Sequence, residues 1–191
     1  MTLPIIDGTG QGYLARVDSS NRLRTKSVTR SEYNAQNLQG EAFNVNSELI
    51  SIGANTETNL VYLKNNELRD IILFAWFIGK DQGTLGASNG LIRAYMSPTS
   101  VSGGSDITVV NRKAGDPKTW LLDVKKSPTW TPSGTPVLYQ TQTLSQRVFG
   151  EIYLVIPPGQ SIITTCEFST ATTPFKIYQG FTGFLVDEGA Q

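Results

Sequence analysis

The chain has 191 residues, no histidine, one cysteine, and sixteen basic side chains set against sixteen acidic ones. Without histidine, neither a serine–histidine nor a cysteine–histidine nucleophile can be assembled, nor any histidine-containing metal site. One cysteine excludes an internal disulfide, and a balanced charge gives no global field to draw the chain to DNA or a membrane surface.

Residues 1–10 read as an extended arm, with Pro4 near the start and glycines at 8, 10 and 12. The opening MTLPIIDGTG has no basic segment and no apolar segment of a secretory signal, so synthesis in a cytoplasm without export by that route is expected. DGTGQG at 7–12 lacks the flanking strand, the helix and the Lys-Ser/Thr pair of a phosphate-binding loop. Tyr13–Val17 is strand-like, DSSN is a polar turn, and Arg22–Arg30 is a second extended run. Alternation places Arg22, Arg24, Lys26 and Arg30 on one face. With Arg16 they form a basic strip that contains no interleaved aromatics for base stacking, which disfavours nucleic acid and leaves a solvated face or a protein-binding arm. The polar segment Ser31–Gly40 reads as a linker or a short helix.

From Glu41 the pattern is that of a folded domain, giving an expected division into an arm, 1–40, and a β-sandwich, 41–191. Phe43–Val45 and Leu49–Ile52 are short strand runs. The stretch Leu60–Gly79 is organised as two adjacent strands around the turn KNNELRD. The second, IILFAWFI, is the most hydrophobic run in the chain and is expected at the centre of the sandwich, buried on both faces. A glycine-rich loop at 80–90 precedes the strand run LIRAYM. A loop at 97–106 precedes ITVV, and residues 111–136 form a Pro-rich excursion carrying Trp120 and Trp130. Val148–Ile156 is a strand ending in Pro-Pro-Gly, where Pro158 presets φ and Gly159 accepts a positive one. Ser161–Glu167 follows as its hairpin or corner partner, and Phe175–Val186 gives one or two more strands. Helical periodicity is absent over any dozen residues. Eight to ten short strands at this spacing predict an all-β fold, a jelly-roll-like β-sandwich with an extended N-terminal arm.

Few residues suggest chemistry. Cys166 sits in ITTCEFS, where alternation puts it with Thr164 and Phe168 as a small core residue. A glycosidase would need two converging carboxylates; Glu67, Asp70, Asp106, Asp116 and Glu151 are turn, loop or strand-end residues, and nothing pairs two of them. The regular spacing of a calcium loop is missing, so no metal or cofactor is expected. Trp120, Trp130 and Tyr139 either stack on sugar rings, anchor the long excursion, or fill an interface between subunits.

One further signal is the order of short motifs. Ala15, Val17, Asp18, Asn21, Arg22 and Leu23 are followed by Gly40, Ala42, Phe43, Asn44 and Asn46, then by Tyr62, Leu63, Lys64, Asn65, Asn66 and Glu67. In that order they resemble a group of tailed-bacteriophage virion proteins over less than half of the chain. LVIPPGQSI is similar to segments of viral jelly rolls. The resemblance implies a capsid- or tail-associated structural protein that is not an enzyme. Small jelly-roll proteins of such phages cement or decorate the capsid, typically as homotrimers bound to the major capsid protein on the virion surface after assembly in the host cytoplasm. Under it, Arg16, Arg22, Arg24, Lys26 and Arg30 would belong to an arm reaching between capsid subunits. The alternative is a receptor- or glycan-binding module of a tail or head fibre, using Trp120, Trp130 and the loops at 80–90 and 97–106.

Overall fold

A computed structural model describes residues 32–53, 55–81, 89–143, 148–168 and 175–186, all within the second of the two units into which the chain divides, 1–31 and 32–191. The segment expected as a linker or short helix forms helix α1 (Glu32–Gln39), which packs on the first and last strands of the sandwich. Eleven strands follow among the described residues: β1 (Ala42–Ile52), β2 (Thr58–Asn65), β3 (Ile71–Lys80), β4 (Asn89–Met96), β5 (Ser105–Asp106), β6 (Val110–Asn111), β7 (Leu122–Lys126), β8 (Leu138–Thr143), β9 (Val148–Ile156), β10 (Ser161–Phe168) and β11 (Phe175–Leu185). The all-β expectation holds.

The strands form two antiparallel sheets, ordered β6-β1-β11-β3-β9 and β5-β7-β2-β10-β4-β8. Their inner faces interdigitate around Phe43, Leu63, Leu73, Trp76, Ile92, Phe168 and Phe181, all nearly inaccessible. Pairing among the eight long strands is nested. β1 pairs with β11 from Ala42↔Phe184, β2 with β10, β3 with β9 from Ile71↔Ile156, and β4 with β8 from Asn89↔Thr143. The first half of the chain therefore lies antiparallel to the second half in reverse order.

Several local expectations change once the sheets are assembled. Leu60–Gly79 does contain two strands, but β2 and β3 belong to opposite sheets, because the turn between them crosses the sandwich. β3 is buried on its inner face only; outward-pointing Ile72, Phe74 and Phe77 stay half-buried. β9 and β10 are likewise corner partners and not a hairpin. Gly159 has φ +77° and the Gln160 N–H donates to the Pro157 carbonyl at 3.0 Å, closing the expected tight turn.

The two runs expected at 43–45 and 49–52 are one strand interrupted by a bulge between Asn46 and Leu49. Glu48 there takes φ +57°, and polar side chains hold the extra residue. The Glu48 N–H donates to Asn46 Oδ1 (3.2 Å), and the Gln179 N–H donates to Ser47 Oγ (2.9 Å), which donates on to the Glu48 carbonyl (2.8 Å).

The Pro-rich excursion is structured. From β4 it runs to the far edges of both sheets, adding β6 beside β1 and β7 beside β2. It also covers the outer face of the second sheet: Trp130 packs with Tyr62, Tyr95 and Ile163, its ring 5.0 Å from that of Tyr95. Asn59 Nδ2 donates to the carbonyls of Pro128 (3.0 Å) and Trp130 (2.8 Å), pinning the segment down.

Candidate functional site

Arg16, Arg22, Arg24, Lys26 and Arg30, with the glycine-rich segment 7–12, lie outside the described residues. Trp130 is only 8% exposed and serves as an anchor of the excursion. Trp120 is half-buried, 4.9 Å from the Phe43 ring, with the Lys118 ammonium 4.8 Å above its own. Tyr139 contributes its backbone to β8 opposite Arg93, and its side chain is outside the described residues. With Trp130 buried and Trp120 half-buried, the two tryptophans form no exposed platform.

The carboxylates are dispersed and structurally engaged. Glu67 accepts the Leu121 N–H at 2.8 Å, joining the β2–β3 turn to the excursion. Asp106 pairs with Lys125 at 2.7 Å, raising the lysine's pKa. Asp116 accepts the Lys118 N–H at 3.0 Å, which holds its carboxyl below the usual range. Glu151 is exposed on β9. The carboxylates that do converge were not signalled in the sequence: Glu57 and Glu167 both grip Arg93, at 3.1 and 2.9 Å, on the outer face of the second sheet. Tyr95 Oη donates to Glu57 at 3.2 Å, and burial with the nearby Glu57 charge pushes its phenol upward. With an arginine between them, these two acids form an ion-pair network that braces β4 against β10. Among the described residues no group of three or more histidine, cysteine, aspartate or glutamate side chains is placed to hold a metal ion.

Two surface features are open. One is a cleft of about 300 Å³ beside the β1 bulge, lined by Asn44, Asn46, Glu48, Asp106, Thr108 and Lys126. The Lys126–Glu48 pair, 2.7 Å, lies in its wall and holds the Glu48 carboxyl below its ordinary pKa. The other is the outer face of the first sheet. Along β9, residues 149 to 156 alternate strictly, with Phe149, Glu151, Tyr153 and Val155 outward and exposed, while Ile152 and Leu154 turn toward the core. On β3 and β11 the same face continues with Phe74, whose ring meets that of Tyr153 edge-on at 5.3 Å, and with Phe77, 6.2 Å from Tyr178. An antiparallel sheet with a solvated outer face would be polar there. Across β9, β3 and β11 this one is largely aromatic.

Two of the residues that carried the resemblance, Asn65 and Asn44, have defined structural work. Asn65, fully buried, donates to the carbonyls of Arg69 (2.9 Å) and Ile156 (2.8 Å) and accepts the Glu67 N–H (2.9 Å), so one side chain ties the β2–β3 turn to the end of β9. Asn44 accepts from Thr182 Oγ1 (2.8 Å) and from Arg112 (3.1 Å), joining β1 to β11 and to the excursion. Comparison with family models, with curated proteins and with solved structures returns no match.

Proposed function

We propose that the chain is a non-enzymatic structural protein of a tailed-phage virion, a jelly roll that decorates or cements the capsid by bridging neighbouring major capsid subunits. The observation that carries the fold part is the nested pairing. The orders β1-β11-β3-β9 and β2-β10-β4-β8 are those of a doubled-over eight-stranded ribbon wrapped into two sheets, which is how a jelly roll is built. The motif resemblance supports the virion part; among its residues Asn65 fixes the β2–β3 bend of this wrapping and Asn44 ties β1 to β11. On this reading Arg16, Arg22, Arg24, Lys26 and Arg30 bind acidic surface on the capsid, and several copies acting together turn weak contacts into firm attachment.

Cosedimentation with undecorated phage heads tests it. Full-length protein is expected to pellet with heads, less so as salt is raised through the range where exposed ion pairs are screened. Deletion of residues 1–30 is expected to abolish pelleting. Undiminished pelleting by the deletion variant would remove the arm from the reading, and full-length protein that never pellets would sink the capsid function itself.

A second reading, a glycan-binding module of a fibre, draws on the cleft beside β1, where asparagine, aspartate and threonine side chains that suit sugar hydroxyls stand beside apolar Ile107 and Val110. A glycan array that stays blank at high protein concentration would dispose of it.

A further inference from the structure

We propose that the aromatic outer face of the β9–β3–β11 sheet is a self-association surface, occupied by a second copy of this chain. The two outer faces of the sandwich are treated oppositely. That of the second sheet is closed by the chain's own excursion, with Trp130 over Tyr62 and Tyr95, and by the Arg93 ion pairs. The first sheet's face leaves Phe149 59% exposed, Tyr153 68% and Val155 48%. Those three side chains alone leave about 350 Å² of mostly apolar surface in water. With half-buried Phe74, Phe77 and Tyr178 around them, the patch reaches the size of the largest found on monomers and makes up about half of the ~800 Å² that a stable interface takes from each partner.

The free edge adjoins the patch and points to the same occupant. β9 is nine residues long and ends its sheet, with no further strand beside it among the described residues. Within it stands a single charged residue, Glu151, and proline is found only after its last residue. β9 pairs with β3 through one register shift, between Leu73 and Ala75, but it has none of the lysines or prolines with which edge strands that stay monomeric are normally blunted, and such an edge can pair with another copy of itself. The charges on this face also allow self-contact. Glu151 lies on β9 and Lys176 on β11, exposed and opposite in sign, so two copies meet without like charges being forced together.

The inference rests on the self-association within the reading above and not on capsid binding. Light scattering coupled to size-exclusion chromatography, at up to about 100 µM, where an interface of this size associates, provides the test. Wild type is expected at a multiple of its 20.9 kDa chain mass. The double variant Phe149→Lys with Tyr153→Lys is expected at the single-chain mass with an unchanged circular dichroism spectrum, while Leu68→Lys, at a 93% exposed residue of the β2–β3 turn, keeps the wild-type mass. A monomeric wild type overturns the proposal, and so does a folded double variant that still assembles. Should the double variant not fold, hydrogen exchange on wild type decides: amides of residues 149–155 must gain protection as concentration rises, and equal exchange at all concentrations refutes the interface. Monomers that pellet with phage heads would sink this interface alone, whereas an assembly through this face that ignores heads would sink only the capsid reading.

Discussion

At the scale of single residues, polar and reactive groups in this protein are set to structural tasks. Cys166 is fully buried on the inner face of β10, and desolvation, reinforced by the Glu57 charge, drives its thiol pKa upward. Only the thiolate reacts, so a thiol reagent is expected to leave the folded protein untouched and to titrate one group after denaturation. The folded thiol keeps its proton where the unfolded one has lost it. That stability is therefore complete below the unfolded thiol pKa of about 8.5 and declines as pH rises above it. Denaturation midpoints measured across alkaline pH should fall less steeply for Cys166→Ala than for wild type; parallel curves would refute the assignment. Thr164, two residues earlier, accepts the Val61 N–H at 3.3 Å and donates to Gln179 Oε1 at 2.7 Å in the core between the sheets. The placement of Cys166 in the core could be read from alternation along ITTCEFS. The Thr164–Gln179 bond could not, because it joins residues from different sheets.

At the scale of elements, glycines inside strands mark places where an aromatic ring lies across bare backbone. A Cβ on Gly150 would sit 2.5 Å from the Trp76 indole, and one on Gly180 would sit 2.2 Å from the Phe77 ring and 2.4 Å from the Val45 carbonyl. The carbonyl belongs to the β1–β11 ladder and cannot step aside. Gly180→Ala is therefore expected to destabilise by about 1–3 kcal/mol through overpacking, read as a lower urea midpoint at constant slope; a midpoint within error of wild type would show that the sheet yields there. Strand identity was legible where apolar residues were dense, as in β3, β4, β9 and β10. β1 reads as two pieces because its bulge breaks the alternation at Ser47–Glu48. β7 and β8 carry only a weak local signal. LDVKK is a mostly half-buried strand inside a Pro-rich segment, and VLYQTQT contains the alternation of β8 but too few apolar residues to stand out. Whether neighbouring strands share a sheet or cross between sheets is decided by long-range pairing, and no local window contains that information.

At the scale of the whole molecule, the excursion between β4 and β8 acts as a strap over one outer face and both far edges. Trp130 is its deepest anchor, so Trp130→Ala is expected to cost about 3 kcal/mol and to open residues 97–137 to limited proteolysis. A sugar-contacting tryptophan would behave in the opposite way, losing glycan affinity while the denaturation midpoint and the cleavage pattern stayed fixed. The candidate site was less legible than the fold. Exposed Phe149, Tyr153 and Val155 lie in a run that reads as ordinary strand, and only the assembled sheet reveals that every second residue of it points outward. The nested pairing also has a consequence for synthesis. As the chain leaves the ribosome, β1 has only two-residue β6 as a partner until β11 emerges, and β3 has no sheet neighbour until β9 does. The first longer ladders able to close are β2 with β7 and then β4 with β8, after which β9 joins β3 and the last two strands fill the gaps, β10 between β2 and β4 and β11 between β1 and β3. Such contacts, made across most of the sequence, place folding among the slower, millisecond-to-second processes. The aromatic sheet is completed only when β11 emerges, so a second copy could dock on its finished face only after that strand has left the ribosome.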